Sequence, residues 1–188
     1  MICVECNPDK ALIEMLLPGS NPRHSSRAYG NSRVVLEVER RGYGIGLIDE
    51  DPQSSFIRNF VLPKGYRLTR NFIAEGIKVL KKGKRRFLIV ICPRLEEWVI
   101  KSAEECGIDV QKEYGLSKRA DRMHSELKSK KLSEFRGLLE ELMDRNSQRL
   151  GKLKEIIESC LENHSDQGQK INYETDKAGE MNSMRGER

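Results

Sequence analysis

The sequence predicts an α/β protein, a sheet with helices packed on its faces, and three observations carry that expectation. Short apolar runs end at Pro or Gly signals as buried strands do, stretches between them have helical apolar spacing, and the two kinds alternate. Met1-Ile-Cys-Val4 is the first strand. Ala11–Leu17 follows as a helix, with Pro8 near its first turn and Pro18-Gly19 ending it. Ser20–Ser32, rich in Ser, Asn, Gly and Arg, reads as a loop. Ser32 is placed to cap a helix reaching about Arg41, with Val34, Val35 and Val38 on its buried side and Gly42 as its stop. Tyr43–Ile48 is the next strand. A loop from Pro52 leads to a short strand near Val61 or Tyr66–Leu68, and Ile73–Leu80 fits a helix and a strand equally. Arg86–Cys92 is the clearest buried strand. Leu95, Trp98, Val99, Ala103 and Cys106 then recur at helical spacing up to Gly107. From Ser117 to Leu161 two apolar stripes, Phe135/Leu138/Leu139/Leu142 and Leu150/Leu153/Ile157/Leu161, mark charged helices that pack on the sheet or on each other.

Size and composition limit what this plan allows. The 188 residues suit one ordinary domain. With 37% hydrophobic and 34% charged residues, a packed core requires that part of the chain stay outside it. The expected division is an α/β domain over 1–112, a charged helical extension over 113–162 and a disordered tail over 163–188. No run of about 18 apolar residues predicts a membrane span, and no basic leader precedes the first strand. Five scattered cysteines (Cys3, Cys6, Cys92, Cys106, Cys160) read as buried thiols, and a reducing cytoplasm is the expected location. Cys3-Val-Glu-Cys6 has C-x-x-C spacing but no second pair to complete a zinc site. Trp98 reads as core.

Charge is unevenly distributed. Lys64–Arg86 holds nine basic residues against the single acid Glu75, which is more positive than the whole chain at +5. Such density reads either as a solvated strand edge guarded by Lys and Arg or as a surface for phosphates. The nearby acids favour nucleic acid, with Lys64, Arg67, Arg70, Lys82, Lys84 and Arg85 as its contacts.

Those acids form two clusters at strand ends. Glu5 and Asp9 follow the first strand, and Asp49-Glu50-Asp51 closes the strand that begins at Tyr43. Carboxyl ends of strands are where open α/β sheets keep their crevice. If the chain stays extended, Asp49 and Asp51 point to one side while Glu50 points away. Carboxylates brought close repel unless a cation joins them, and hard oxygen ligands suit Mg²⁺, with Mn²⁺ as its substitute. Glu96, just after the best strand, is a fifth acid at that end; in the first turn of a helix it is equally a partner of the helix dipole.

Val4-Glu5-Cys6-Asn7-Pro8-Asp9 and Gly46-Leu-Ile-Asp49-Glu-Asp51 together resemble the Toprim domain of topoisomerases, bacterial primases, OLD-family nucleases and small RNA-maturation nucleases. That family has an apolar strand ending in Glu, usually followed by Gly, with an acid four residues on, and later a strand ending in D-x-D. Cys6 stands where the Gly is usual. The resemblance covers about residues 1–110. It implies a mainly parallel four-stranded sheet flanked by helices, with Mg²⁺ at Asp49 and Asp51 and Glu5 as ligand or general acid/base. Asp9 and Glu96 are further implied ligands. The topoisomerase and primase branches need additional domains, so the implied activity is that of the nuclease branches: a Mg²⁺-dependent phosphodiester hydrolase of DNA or RNA, with Glu5, Asp49 and Asp51 catalytic. Its setting would be a defence or repair assembly. The alternative is a non-catalytic Toprim-like module that recruits a protein partner through the helices of 117–161.

Overall fold

The computed structural model describes residues 1–24, 31–50 and 64–162. Among these are six strands and seven helices, alternating up to the third strand and then grouped as strands followed by helices. They are β1 (Ile2–Val4), α1 (Asn7–Leu16), β2 (Arg23–His24), α2 (Asn31–Arg41), β3 (Gly44–Asp49), β4 (Arg67–Phe72), β5 (Ile77–Lys82), β6 (Arg86–Ile91), α3 (Leu95–Glu105), α4 (Val110–Tyr114), α5 (Ala120–Ser129), α6 (Leu132–Asp144) and α7 (148–162). The strands form one mixed sheet in the order β2-β1-β3-β6-β5-β4. β2, β1, β3 and β6 run parallel, while β5 pairs antiparallel with β6 and β4 antiparallel with β5.

The α/β class therefore holds, but the sheet is six-stranded and mixed, not a mainly parallel sheet of four. The two added strands come from the basic segment, whose β4 is exposed along almost its whole length. A strand at the sheet's edge need not bury a face, so the expected short strand near Tyr66–Leu68 catches only its start and not its run to Phe72. The same segment resolves the ambiguity at 73–80 in favour of a strand, since Ile77, Val79 and Leu80 are buried and paired to β6. β2 lies inside the stretch expected to be a loop; two residues are too few to leave a periodicity. The tail expected over 163–188 lies outside the described residues.

Alternate residues of each strand feed two separate cores. Phe87, Ile89 and Ile91 of β6 join Ile45 and Leu47 of β3 under α1, α3, α5, α6 and α7. Leu88 and Val90 join Cys3, Ile48 and Leu80 under Val34, Val35 and Val38 of α2. Both apolar stripes of the charged helices, including Phe135, Leu138, Leu142, Leu150 and Ile157, are buried in the first core. Their apolar residues are spent inside the chain, so a partner meeting these helices would find their polar sides. Trp98 is 1% exposed and its indole N–H donates to the Glu75 carbonyl at 2.6 Å.

Burial raises the thiol pKa of Cys3, Cys6, Cys92 and Cys160, Cys92 to about 12 and Cys160 to about 11. These four thiols stay protonated at neutral pH, and all five cysteines are free. No helix among the described residues is long and apolar enough to cross a membrane.

Close packing of α2 on the sheet depends on Gly46. A Cβ there would lie 2.7 Å from Val34 Cγ1 and 2.8 Å from Leu88 Cδ2. Gly46→Ala is expected to destabilise the fold by about 1–3 kcal/mol through overpacking. Gly151→Ala, on α7 with nothing within 4 Å of its Cβ, is expected to stabilise by up to about 1 kcal/mol. Urea midpoints of the two variants moving the same way would contradict this packing account.

Candidate functional site

Sheet order brings the predicted acids together. From β1 the chain passes through α1 outward to β2, whereas from β3 it continues away from β1 toward β6. The β1/β3 boundary is thus the point where the connections diverge, and crevices of open α/β sheets form at the carboxyl ends of such strands. Glu5 leaves β1 there and Asp49 ends β3 there. α1 and α3 start at the same end, bringing Asp9 and Glu96 in their first turns.

Each acid is held by a backbone or side-chain partner. The Asp49 backbone N–H donates to Glu5 Oε1 at 3.1 Å, which ties the end of β3 to the end of β1. Asp49 Oδ1 accepts from the Leu95 N–H at 3.2 Å, reaching across to the start of α3. Asp9 Oδ2 accepts from the Cys6 N–H at 3.0 Å, the backward half of a capping box at the head of α1. Cys6 has φ −143°, extended backbone open to any residue, so this turn makes no demand that only Gly meets. Glu96 Oε1 lies 2.5 Å from His124 Nδ1 of α5.

Burial and mutual repulsion perturb this group. Asp9 is 4% exposed and Glu96 3%. Desolvation raises the Asp9 carboxyl to about 6 against the hydrogen bonds from Cys6, and the Glu96 charge pushes the same way. The Asp49 carboxyl is raised well above its ordinary range, first by burial, then by the charges of Asp9, Glu5 and Glu96. The four acids therefore form one electrostatic unit. Among the described residues, no three His, Cys, Asp or Glu side chains are arranged as a ready ligand set for one ion. Asp51, the remaining predicted ligand, lies outside the described residues.

The basic residues are placed differently from expectation. Gly44 pairs with Arg86 and Asp49 with Ile91, so the β5–β6 turn carrying Lys84 and Arg85 sits at the opposite end of the sheet from the acids. Lys82 and Arg67 are also at that far end, Lys82 opposite Arg86 and Arg67 opposite Lys81, with Lys64 in the turn before β4. Arg70 lies midway along β4, opposite Val79. Proximity in sequence to Asp49 did not become proximity in space, because the antiparallel return of β5 carries the cations away. Among the described residues, Lys78 is the member of that segment that pairs with an acid at the crevice end, contacting Glu50.

Two participants escaped sequence reasoning. His124 belongs to a helix legible only as charged, 28 residues from Glu96, and nothing local signals the contact. Arg94, just before α3, joins Glu97 at 3.2 Å and Asp121 of α5 at 2.6 Å, fastening α5 over the head of α3. Compared with known protein families, curated proteins and solved structures, the chain matches none.

Proposed function

We propose that the chain is a Mg²⁺-dependent phosphodiester hydrolase, a Toprim-like nuclease acting on DNA or RNA. The observation that carries this reading is the convergence of Glu5, Asp9, Asp49 and Glu96 at the β1/β3 crevice, with Asp9 pushed toward the protonated state by burial and the Glu96 charge, and Asp49 by burial and the charges of Asp9, Glu5 and Glu96. The donor set fits the ion: carboxylate oxygens are the ligands Mg²⁺ takes, and a divalent cation offsets the repulsion that these side chains otherwise bear. Glu5, Asp9, Asp49, Asp51 and Glu96 are the residues that would hold it. When bound, the ion neutralises charge developing on a phosphodiester and activates the attacking oxygen.

The chain's own groups orient the site. Glu5 fixes the end of β3 through the Asp49 amide, and the Leu95 amide fixes one Asp49 oxygen. Asp9, raised to about 6 by burial, has a carboxyl whose proton exchanges not far from neutral pH, which suits general acid/base work. His124 holds one oxygen of Glu96, the kind of outer contact that orients a ligand carboxylate.

Plasmid DNA and RNA incubated with the purified chain and Mg²⁺ or Mn²⁺ should be cleaved, and EDTA should stop the reaction. Cleavage that persists in EDTA would overturn the assignment. His124→Ala is expected to weaken Mn²⁺ binding by roughly 10–100-fold in calorimetric titration, with partial recovery in His124→Asn. An unchanged affinity in His124→Ala would remove His124 from the site.

A further inference from the structure

The far end of the sheet carries a second feature that the acid crevice does not use. There the β5–β6 turn, the start of β4 and the end of α2 meet. The cations at the end of α2 are already occupied: Arg40 and Arg41 bind Glu37, whose carboxyl their hydrogen bonds hold down to about 2. Lys82 and Arg86 share Glu39 at 2.6 and 3.1 Å. Lys64, Arg67, Lys84 and Arg85 are exposed and make no ion pair among the described residues. Arg85 lies over the ring of Tyr43, 5.5 Å from its centroid, and Tyr43 is 39% exposed. Two carboxylates thus offset half the charge of four inner cations, and an outer rim of four exposed cations lies beyond them.

We infer that this rim is a nucleic-acid anchor separate from the acid crevice, holding the phosphate backbone at a distance from the site of cleavage. Four exposed cations supply sequence-independent attraction for a polyphosphate, and the Tyr43 ring under Arg85 favours holding that guanidinium in place. Five residue steps separate the Gly44/Arg86 pair from the Asp49/Ile91 pair. At about 3.3 Å per step the two ends are ~17 Å apart, about five base-pair rises of a duplex. A dinucleotide cannot reach both; a longer nucleic acid can. The role of the rim in cleavage rests on the hydrolase reading, but its binding does not.

The test is therefore binding of a fluorescent 20-base-pair duplex, and of its RNA counterpart, by the full chain in EDTA. With four phosphate contacts, log K should fall against log salt with a slope of roughly −3.6 for duplex DNA, about 150-fold weaker binding between 50 and 200 mM salt. Lys84→Ala with Arg85→Ala should halve that slope, and adding Lys64→Ala with Arg67→Ala should nearly abolish it. Circular dichroism should be unchanged, since all four side chains are exposed. Unaltered binding in the fourfold variant would overturn the anchor, as would polyglutamate competing as well as unlabelled duplex. Anchor binding without cleavage in Mg²⁺ would leave this inference standing and remove the hydrolase reading.

Discussion

Asp49→Asn is expected to abolish metal-dependent cleavage while making the metal-free protein more stable. The amide keeps an oxygen to accept from the Leu95 N–H, so the end of β3 stays anchored to α3. It removes a charge that burial and the charges of Asp9, Glu5 and Glu96 all oppose. Loss of a ligand to a charge-neutralising metal removes several kcal/mol of transition-state stabilisation, a fall on the order of 10³-fold in rate. The same substitution relieves buried repulsion, so the urea midpoint at pH 7.5 in EDTA should rise. The opposing signs distinguish a functional acid from a structural one. Were Asp49 merely holding the fold, its replacement would lower stability and leave cleavage of plasmid unaffected, and that pair of results would sink the assignment.

Stability should also fall as pH rises from about 4 to 7, the reverse of the usual behaviour of paired carboxylates. Asp9 has a folded-state pKa near 6 against an ordinary 3.8, so the fold favours its protonated form. Its contribution is complete below the ordinary value and is lost as pH climbs through 6. A shift of that size corresponds to about 3 kcal/mol. Asp49 is displaced in the same direction. The surface acids act oppositely: Glu37, held near 2 by Arg40 and Arg41, contributes fully above its ordinary 4.5 and loses that contribution as pH falls from there through 2.

In EDTA, urea unfolding between pH 4.5 and 8 should show the decline, and Asp9→Asn should flatten it. Mg²⁺ at about 100 times its dissociation constant should restore about 2.7 kcal/mol at the upper end, because binding to the folded state alone stabilises it. Wild-type stability that is level across this window in EDTA would show that the acids do not bear the repulsion described.

Much of the site was legible along the chain because its carriers are local patterns. Tyr43–Ile48 and Arg86–Cys92 are continuous apolar runs, and a strand buried on both faces needs nothing more to be recognised. Glu5 and Asp49 follow such runs directly, so their position at the sheet's carboxyl end follows from the strand assignments. Asp9 and Glu96 follow from the helix starts. By contrast, β4 satisfies its residues by exposure, and β2 is only two residues long. β2 leaves no pattern that differs from a polar loop, and β4 shows only its start, near Tyr66–Leu68.

The sequence by itself determined the α/β class, the two central strands and the carboxylates at their ends, since those depend on side-chain periodicity and on what immediately follows each strand. The tertiary structure alone decided that Glu96 is buried against His124, that the apolar stripes of α6 and α7 close over the sheet, and that the basic segment forms a hairpin reaching the far end. The physical reason is strand order and direction. A parallel neighbour brings Asp49 alongside Glu5, whereas an antiparallel return carries Lys84 and Arg85 the length of a strand away. Neither pairing is written in the residues that it separates.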